Sequence, residues 1–141
     1  MTNIINFELV SPEKKLMSEP VYMVEIPGDD GAFGVMSGHC SLVSSLRTGV
    51  VRLHKEENSS DVREFFIAGG FADVTAENCT ILAEGAIDVN DLDKEALEQS
   101  LINLGEDLTL AVEPEDKTRV EDQITLTKAK LRAVLVREGR Y

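Results

Sequence analysis

The hydrophobic period changes once along this chain, near Asp88, and that change limits the folds open to it. Before it, apolar residues recur every second position: Ile5, Phe7 and Leu9 alternate with Asn6, Glu8 and Val10. Tyr22, Val24 and Ile26 alternate with Met23 and Glu25; Val51 and Leu53 with Arg52 and His54; Cys79, Ile81 and Ala83 with Thr80 and Leu82. Period two is the signature of strands, whose successive side chains point to opposite faces. In several runs, such as Phe65-Phe66-Ile67-Ala68, both phases are apolar, which predicts that parts of both sheet faces are covered. Turn formers separate the runs at Ser11-Pro12, Pro27–Gly31, Ser37-Gly38, Thr48-Gly49, Glu57–Asp61, Gly69-Gly70 and Glu77-Asn78. Many short strands between such turns predict an all-β sandwich or barrel.

After Asp88 the spacing becomes helical. Leu97, Leu101, Leu104 and Leu108 lie on one stripe of a helix capped by Asp91 or Asp93, with Gly105 weakening it. Pro114 suits the first turn of a second helix carrying Val120, Ile124, Leu131 and Val134 or Leu135, with Thr127 interrupting the stripe. That helix is expected to reach about Glu138, where Gly139 stops it, a length on the order of 35 Å. The fold class expected is therefore α+β: an N-terminal all-β sandwich, residues 1–88, followed by a C-terminal antiparallel two-helix hairpin, residues 89–141.

The formal net charge of −12 argues against an autonomous nucleic-acid binder and against direct adhesion to an anionic membrane. No apolar run approaches the roughly 20 residues needed to span a bilayer, and no secretory signal is read at the start, so the expectation is a soluble cytoplasmic chain. Charge is uneven in the helical part. Residues 89–122 hold eleven acidic and three basic side chains; residues 123–141 hold one acidic side chain, Glu138, and five basic ones, Lys128, Lys130, Arg132, Arg137 and Arg140. The cations either complement a helix C-terminus or form a basic arm for an acidic partner.

Reactive side chains gather in Ile26–Cys40, which holds four glycines, Asp29, Asp30, His39 and Cys40. Its glycines match neither G-x-G-x-x-G nor a P-loop, and no helix follows to receive a phosphate. His39 and Cys40 are neighbours and point apart in extended chain, and the two histidines and two cysteines show no metal-ligand spacing. No metal or other cofactor is expected. A small β-sandwich hydrolase using His39 with Asp29 or Asp30 stays open as an alternative. The better reading is a binding or coupling protein, with two buried thiols in a reduced compartment and turn-forming glycines.

Taken in order, Val10-Ser-Pro-Glu13, Ile26-Pro-Gly-Asp-Asp-Gly-Ala-Phe-Gly-Val35, Gly38-His39, Leu46-Arg-Thr-Gly-Val50, Gly69-Gly70-Phe71 and Ile81-Leu-Ala-Glu84 resemble the epsilon subunits of bacterial F-type (rotary) ATP synthases over nearly the whole chain. The resemblance implies a non-catalytic central-stalk subunit, beside the gamma subunit and the ring of membrane c subunits, at the cytoplasmic side of the bacterial inner membrane. Membrane association would come only through the complex. It implies that Asp29, Asp30, Gly31 and Ala32 face the c ring and that His39 lies near gamma. It also implies a mobile or a fixed helical hairpin; if mobile, Lys128, Lys130, Arg132 and Arg137 would reach acidic segments of the catalytic alpha/beta head and restrain ATP hydrolysis.

The chain departs from the family at several positions. The ATP motif of some members begins here with Leu92-Asp93, but Ala96 and Leu97 stand where Arg and Ala are required, so ATP binding is expected to be weak or absent. Cys40-Ser41 replaces Ala-Pro, Ala32 replaces an acidic loop residue, and Asp73 replaces a Glu.

Overall fold

The computed structural model describes residues 4–57 and 62–137. The turn residues Asn58, Ser59, Ser60 and Asp61, the expected helix stop at Glu138 and Gly139, and Arg140 lie outside the described residues. The chain divides into two compact units, Met1–Asp88 and Val89–Tyr141.

The first unit is a β-sandwich with ten strands among the described residues: β1 (Ile5–Val10), β2 (Lys15–Val21), β3 (Met23–Gly28), β4 (Gly31–Met36), β5 (Leu42–Leu46), β6 (Gly49–His54), β7 (Val62–Ile67), β8 (Gly69–Val74), β9 (Asn78–Glu84) and β10 (Ile87–Asp88). Hydrogen bonding follows the order β10-β7-β6-β3-β5-β8-β9-β1-β2, with β4 on β3. Strand β3 turns the corner. Met23, Val24 and Glu25 pair with His54, Leu53 and Arg52 of β6, whereas Gly28 pairs with Leu46 of β5. The alternating residues meet inside: Ile5, Phe7, Leu9, Val24, Ile26, Val51, Leu53, Cys79, Ile81 and Ala83 are all buried. Each large aliphatic or aromatic side chain among them contributes about 1.5–3 kcal/mol through removal from water.

Two strands carry weak sequence signals. In β2, Pro20 interrupts the run; it is tolerated because β2 is an edge strand and needs no outward N–H. In β5, Leu-Val-Ser-Ser-Leu does not alternate cleanly. The Gly69-Gly70 pair, expected as a turn, instead begins β8, and the bend falls at Ala68. Both glycines have positive φ, 147° and 146°. A Cβ on Gly70 would stand 2.1 Å from the Leu82 carbonyl oxygen, so the pair lets β8 lie against β9 where no side chain fits.

The second unit opens with a 3-10 turn, Val89–Asp91, and continues as helices α1 (Lys94–Leu110) and α2 (Pro114–Arg137). Of the two capping candidates, Asp93 is the N-cap: its Oδ1 accepts from the backbone N–H of Glu95 at 3.0 Å and of Ala96 at 3.4 Å. Leu97, Leu101, Leu104 and Leu108 form the half-buried stripe of α1, and no α1 residue is fully buried. On α2, Val120, Ala133 and Val134 are buried. Thr127 sits in the apolar stripe without cost in unpaired groups, because its hydroxyl donates to the Gln123 carbonyl at 2.8 Å.

Two glycine substitutions should therefore act in opposite directions in chemical denaturation. Gly70→Ala should destabilise the sandwich by on the order of 2–3 kcal/mol, through strain and displaced backbone. Gly105→Ala, at an exposed position in α1 with open space around it, should stabilise the helix by about 0.5–1 kcal/mol.

Candidate functional site

Asp29 and Asp30 form the two-residue turn between β3 and β4, closed by the Gly28 and Gly31 pair. Both aspartates are exposed, as is Ala32. Gly31 has φ 129°, which an L side chain rarely adopts. The base of the turn is tied to the end of β5 and the residue after it: the Asp29 N–H donates to the Ser45 carbonyl at 3.0 Å, and the Arg47 N–H donates to the Pro27 carbonyl at 3.0 Å. Thr48 Oγ1 donates to the Ala68 carbonyl at 2.8 Å, and the Ala68 N–H donates to the Glu84 carbonyl at 2.9 Å. Four short motifs spread over sixty residues thus meet at one end of the sandwich, around Pro27–Ala32, Arg47–Gly49, Ala68–Gly70 and Glu84. The turn is a pair of carboxylates on a braced rim, suited to contact rather than to proton transfer.

The structure does not join His39 to that rim. His39 follows β4, whereas the aspartates precede it, and no hydrogen bond or ion pair among the described residues links them. The imidazole Nδ1 lies 2.6 Å from the Cys40 carbonyl, to which it donates, and its ring tilts against Phe33 at 6.4 Å between centroids. Gly38 N–H donates to the Ala76 carbonyl at 2.8 Å, which ties this bend to the β8–β9 turn. The alternative of a hydrolase built from His39 with Asp29 or Asp30 loses its geometry. Among the described residues no group of three or more His, Cys, Asp or Glu is placed to hold a metal.

The expectation of two buried thiols is corrected. Cys79 is buried, but Cys40 is exposed on the bend after β4. Burial, with a smaller contribution from the negative charge of Asp73, pushes the Cys79 thiol from its ordinary 9.0 to about 12.

In the helical unit, Leu92 and Asp93 border a recess with Asn90, Asp91, Lys94, Glu95, Glu98 and Val134. The carboxylate of Asp93 is engaged as the α1 cap. Four carboxylates face one ammonium there, and Lys94 Nζ lies 3.9 Å from Glu98. Such a field repels a triphosphate. Lys128 is exposed on α2; Lys130, Arg132 and Arg137 each hold an interaction of their own.

One surface was not singled out from the sequence. On the outer face of β5, β8, β9 and β1, Phe71 stands opposite Leu82, and Leu82 opposite Val10; Val43 lies on the same face of β5. Val43 is 72% exposed, Phe71 55% and Leu82 46%. In Phe65-Phe66-Ile67 both phases are buried, as the doubly apolar run indicates, whereas the outer face at Val43, Phe71 and Leu82 is open. The neighbouring sheet face differs. There Arg52 lies 3.4 Å from both Glu25 and the buried Glu64, and His54 Nε2 lies 3.5 Å from Glu25.

Comparison with known proteins agrees with this architecture. A family model described as the ATP synthase, Delta/Epsilon chain, beta-sandwich domain matches residues 4–89. The chain is 42% identical over 134 residues to the ATP synthase epsilon chain of Rhodospirillum centenum, covering 93% of this chain and 92% of that one. It is 41% identical to the epsilon chain of Rhodospirillum rubrum, covering 94% and 98%, and 40% identical to that of Maricaulis maris, covering 95% and 96%. Among solved structures, it resembles in fold a chain of the Euglena gracilis mitochondrial ATP synthase, with a TM-score of 0.78, 22% identity, and coverage of 96% and 83%.

The two thiols should differ in reactivity. At about pH 8, a maleimide should label Cys40 in the native protein and reach Cys79 only after denaturation, as read by mass spectrometry. Because the folded value of Cys79 is raised, its contribution to stability is fully present below pH 9.0 and is lost as pH rises toward about 12.

Proposed function

The chain belongs to the epsilon chains of ATP synthase, and we propose that within the central stalk its sandwich links the gamma subunit to the c ring while its partners perform the chemistry. The observation that carries this reading is the open apolar face of Val43, Phe71 and Leu82. A chain with a net charge of −12 has no reason of solubility to place such residues on one face of a sheet, with Phe71 and Leu82 directly opposite each other. A partner face covering them would gain about 1.5–3 kcal/mol per large side chain, and an aromatic at the centre of such a contact is a typical anchor. We assign this face, together with His39 beside it in sequence, to gamma.

The turn at Asp29, Asp30, Gly31 and Ala32 is assigned to the c ring. With Ala32 in place of a carboxylate, Asp29 and Asp30 supply the charge and the braced backbone supplies the shape. On this reading the chain reaches the cytoplasmic side of the bacterial inner membrane only as a peripheral member of the complex. No helix among the described residues is long and apolar enough to cross a membrane. No nucleotide is assigned to the helical unit, because Asp93 is engaged as a cap and acidic side chains surround it.

Phe71→Glu should weaken association with purified gamma at least tenfold while leaving thermal melting nearly unchanged, since Phe71 contributes to no buried cluster. Unaltered affinity would remove gamma from this face. The measurement is a direct binding titration.

The uneven charge of α2 favours a second role, in which Lys128, Lys130, Arg132 and Arg137 engage acidic segments of the catalytic alpha/beta head. On that reading, removing residues 89–141 should raise ATP hydrolysis by the assembled complex several-fold. An unchanged rate would leave coupling as the sole function.

A further inference from the structure

The connection between the helices presents two of the most exposed large apolar side chains among the described residues, Val112 at 82% and Leu110 at 77%. Scattered surface leucines need no explanation. Leu110 ends α1 and Val112 is the middle residue of the three-residue connection that follows, which is held at both ends. The Ala111 N–H donates to the Asp107 carbonyl at 3.0 Å and to the Leu108 carbonyl at 3.3 Å; the Lys117 N–H donates to the Glu113 carbonyl at 3.1 Å. Thr109 Oγ1 donates to the Glu106 carbonyl at 2.6 Å, and Thr118 Oγ1 to the Pro114 carbonyl at 3.0 Å. Pro114 sets the backbone at the first turn of α2. An apolar group held this way loses little conformational entropy on binding.

Behind the tip is a recess lined by Leu110, Ala111, Val120 and the Asp116–Arg119 pair, whose charges lie 3.3 Å apart. Around it, residues 106–119 carry five carboxylates, Glu106, Asp107, Glu113, Glu115 and Asp116, against two cations, Lys117 and Arg119, a net charge of −3. That field decides what can cover the tip. It repels an anionic bilayer and nucleic acid. It also disfavours a symmetric contact with the same tip of a second copy, which would set carboxylates against carboxylates. It attracts cations around an apolar socket.

We propose that the hairpin tip is a docking knob, with Val112 and Leu110 seating in an apolar socket ringed by lysine or arginine on a neighbouring subunit of the assembly. The neighbouring subunit rests on the reading of the chain as a stalk component. The charged ring would guide approach, and the apolar pair would hold the contact.

The test uses the purified, assembled synthase carrying a photo-reactive p-benzoylphenylalanine at position 112, with a second preparation carrying it at position 71. The expected result at 112 is an adduct with another subunit, in a segment where lysine or arginine flanks apolar residues. Its yield should fall several-fold with Asp107→Lys plus Glu113→Lys, and again when salt is raised from about 50 to about 500 mM. Leu110→Ser plus Val112→Ser should speed dissociation of the subunit with unchanged melting of the isolated chain, since both side chains are exposed. The proposal is overturned if position 112 yields no adduct, if it joins only its own chain, a second copy or lipid, or if the yield ignores charge reversal. An adduct between position 71 and gamma, with none from 112, would sink the knob and leave the stalk reading intact. Loss of both would sink the two together.

Discussion

Strand β3 hydrogen-bonds to β6 along its first half, to β5 at its last residue and to β4 along its other edge, and the sandwich closes because one strand serves these three neighbours. A sheet folded on itself must turn a corner without leaving buried N–H and C=O groups unpaired. Here the corner falls at Pro27-Gly28. Proline has no N–H to satisfy, and Gly28 has no side chain to meet the Gly31 carbonyl or the Phe33 ring, which a Cβ would approach to 2.8 Å. Gly49 makes room for Pro27 in the same way, with 2.9 Å to its Cβ. The exposed aspartate turn is the visible end of that corner. Its rigidity comes from the hydrogen bonds that join it to Ser45 and Arg47.

The helical unit follows a different logic. Its stability rests on a leucine stripe that is only half buried and on capping, so α1 is held loosely compared with any strand of the core. Charge along the hairpin is segregated by the antiparallel path. The tip collects carboxylates from the end of α1 and the start of α2, whereas the cations of α2 return toward the acidic start of α1. Lys130, Arg132 and Arg137 each hold an interaction of their own, whereas Lys128 is exposed on α2.

Much of the fold was legible because it depends on local periodicity. Ile5-Phe7-Leu9 and Cys79-Ile81-Ala83 are buried in the phase their alternation indicates. Asp93 and Pro114 start their helices through capping and dihedral preferences that operate within a few residues. Strands β2 and β5 were hidden because pairing with β1 and with β8, respectively, holds them regardless of a weak pattern of their own. Gly69-Gly70 looked like a turn because glycine's freedom serves turns and close strand approach alike; the Leu82 carbonyl that makes it necessary is distant in sequence. Cys40 shows the same limit, since exposure at a bend depends on what folds back over it.

By itself, the sequence determined the division into an alternating half and a helical half, the caps, the tight aspartate turn and the acidic character of the whole, because period, φ preference and charge are properties of neighbouring residues. Tertiary structure alone decided that motifs from Pro27 to Glu84 gather at one end, that His39 is bonded to neither Asp29 nor Asp30, and that Val43, Phe71 and Leu82 share one open face. Those are juxtapositions across strands, set by register and by where the chain turns back. The physical reason is that a side chain's face follows from its own strand, whereas its neighbours follow from backbone hydrogen bonds made with strands tens of residues away.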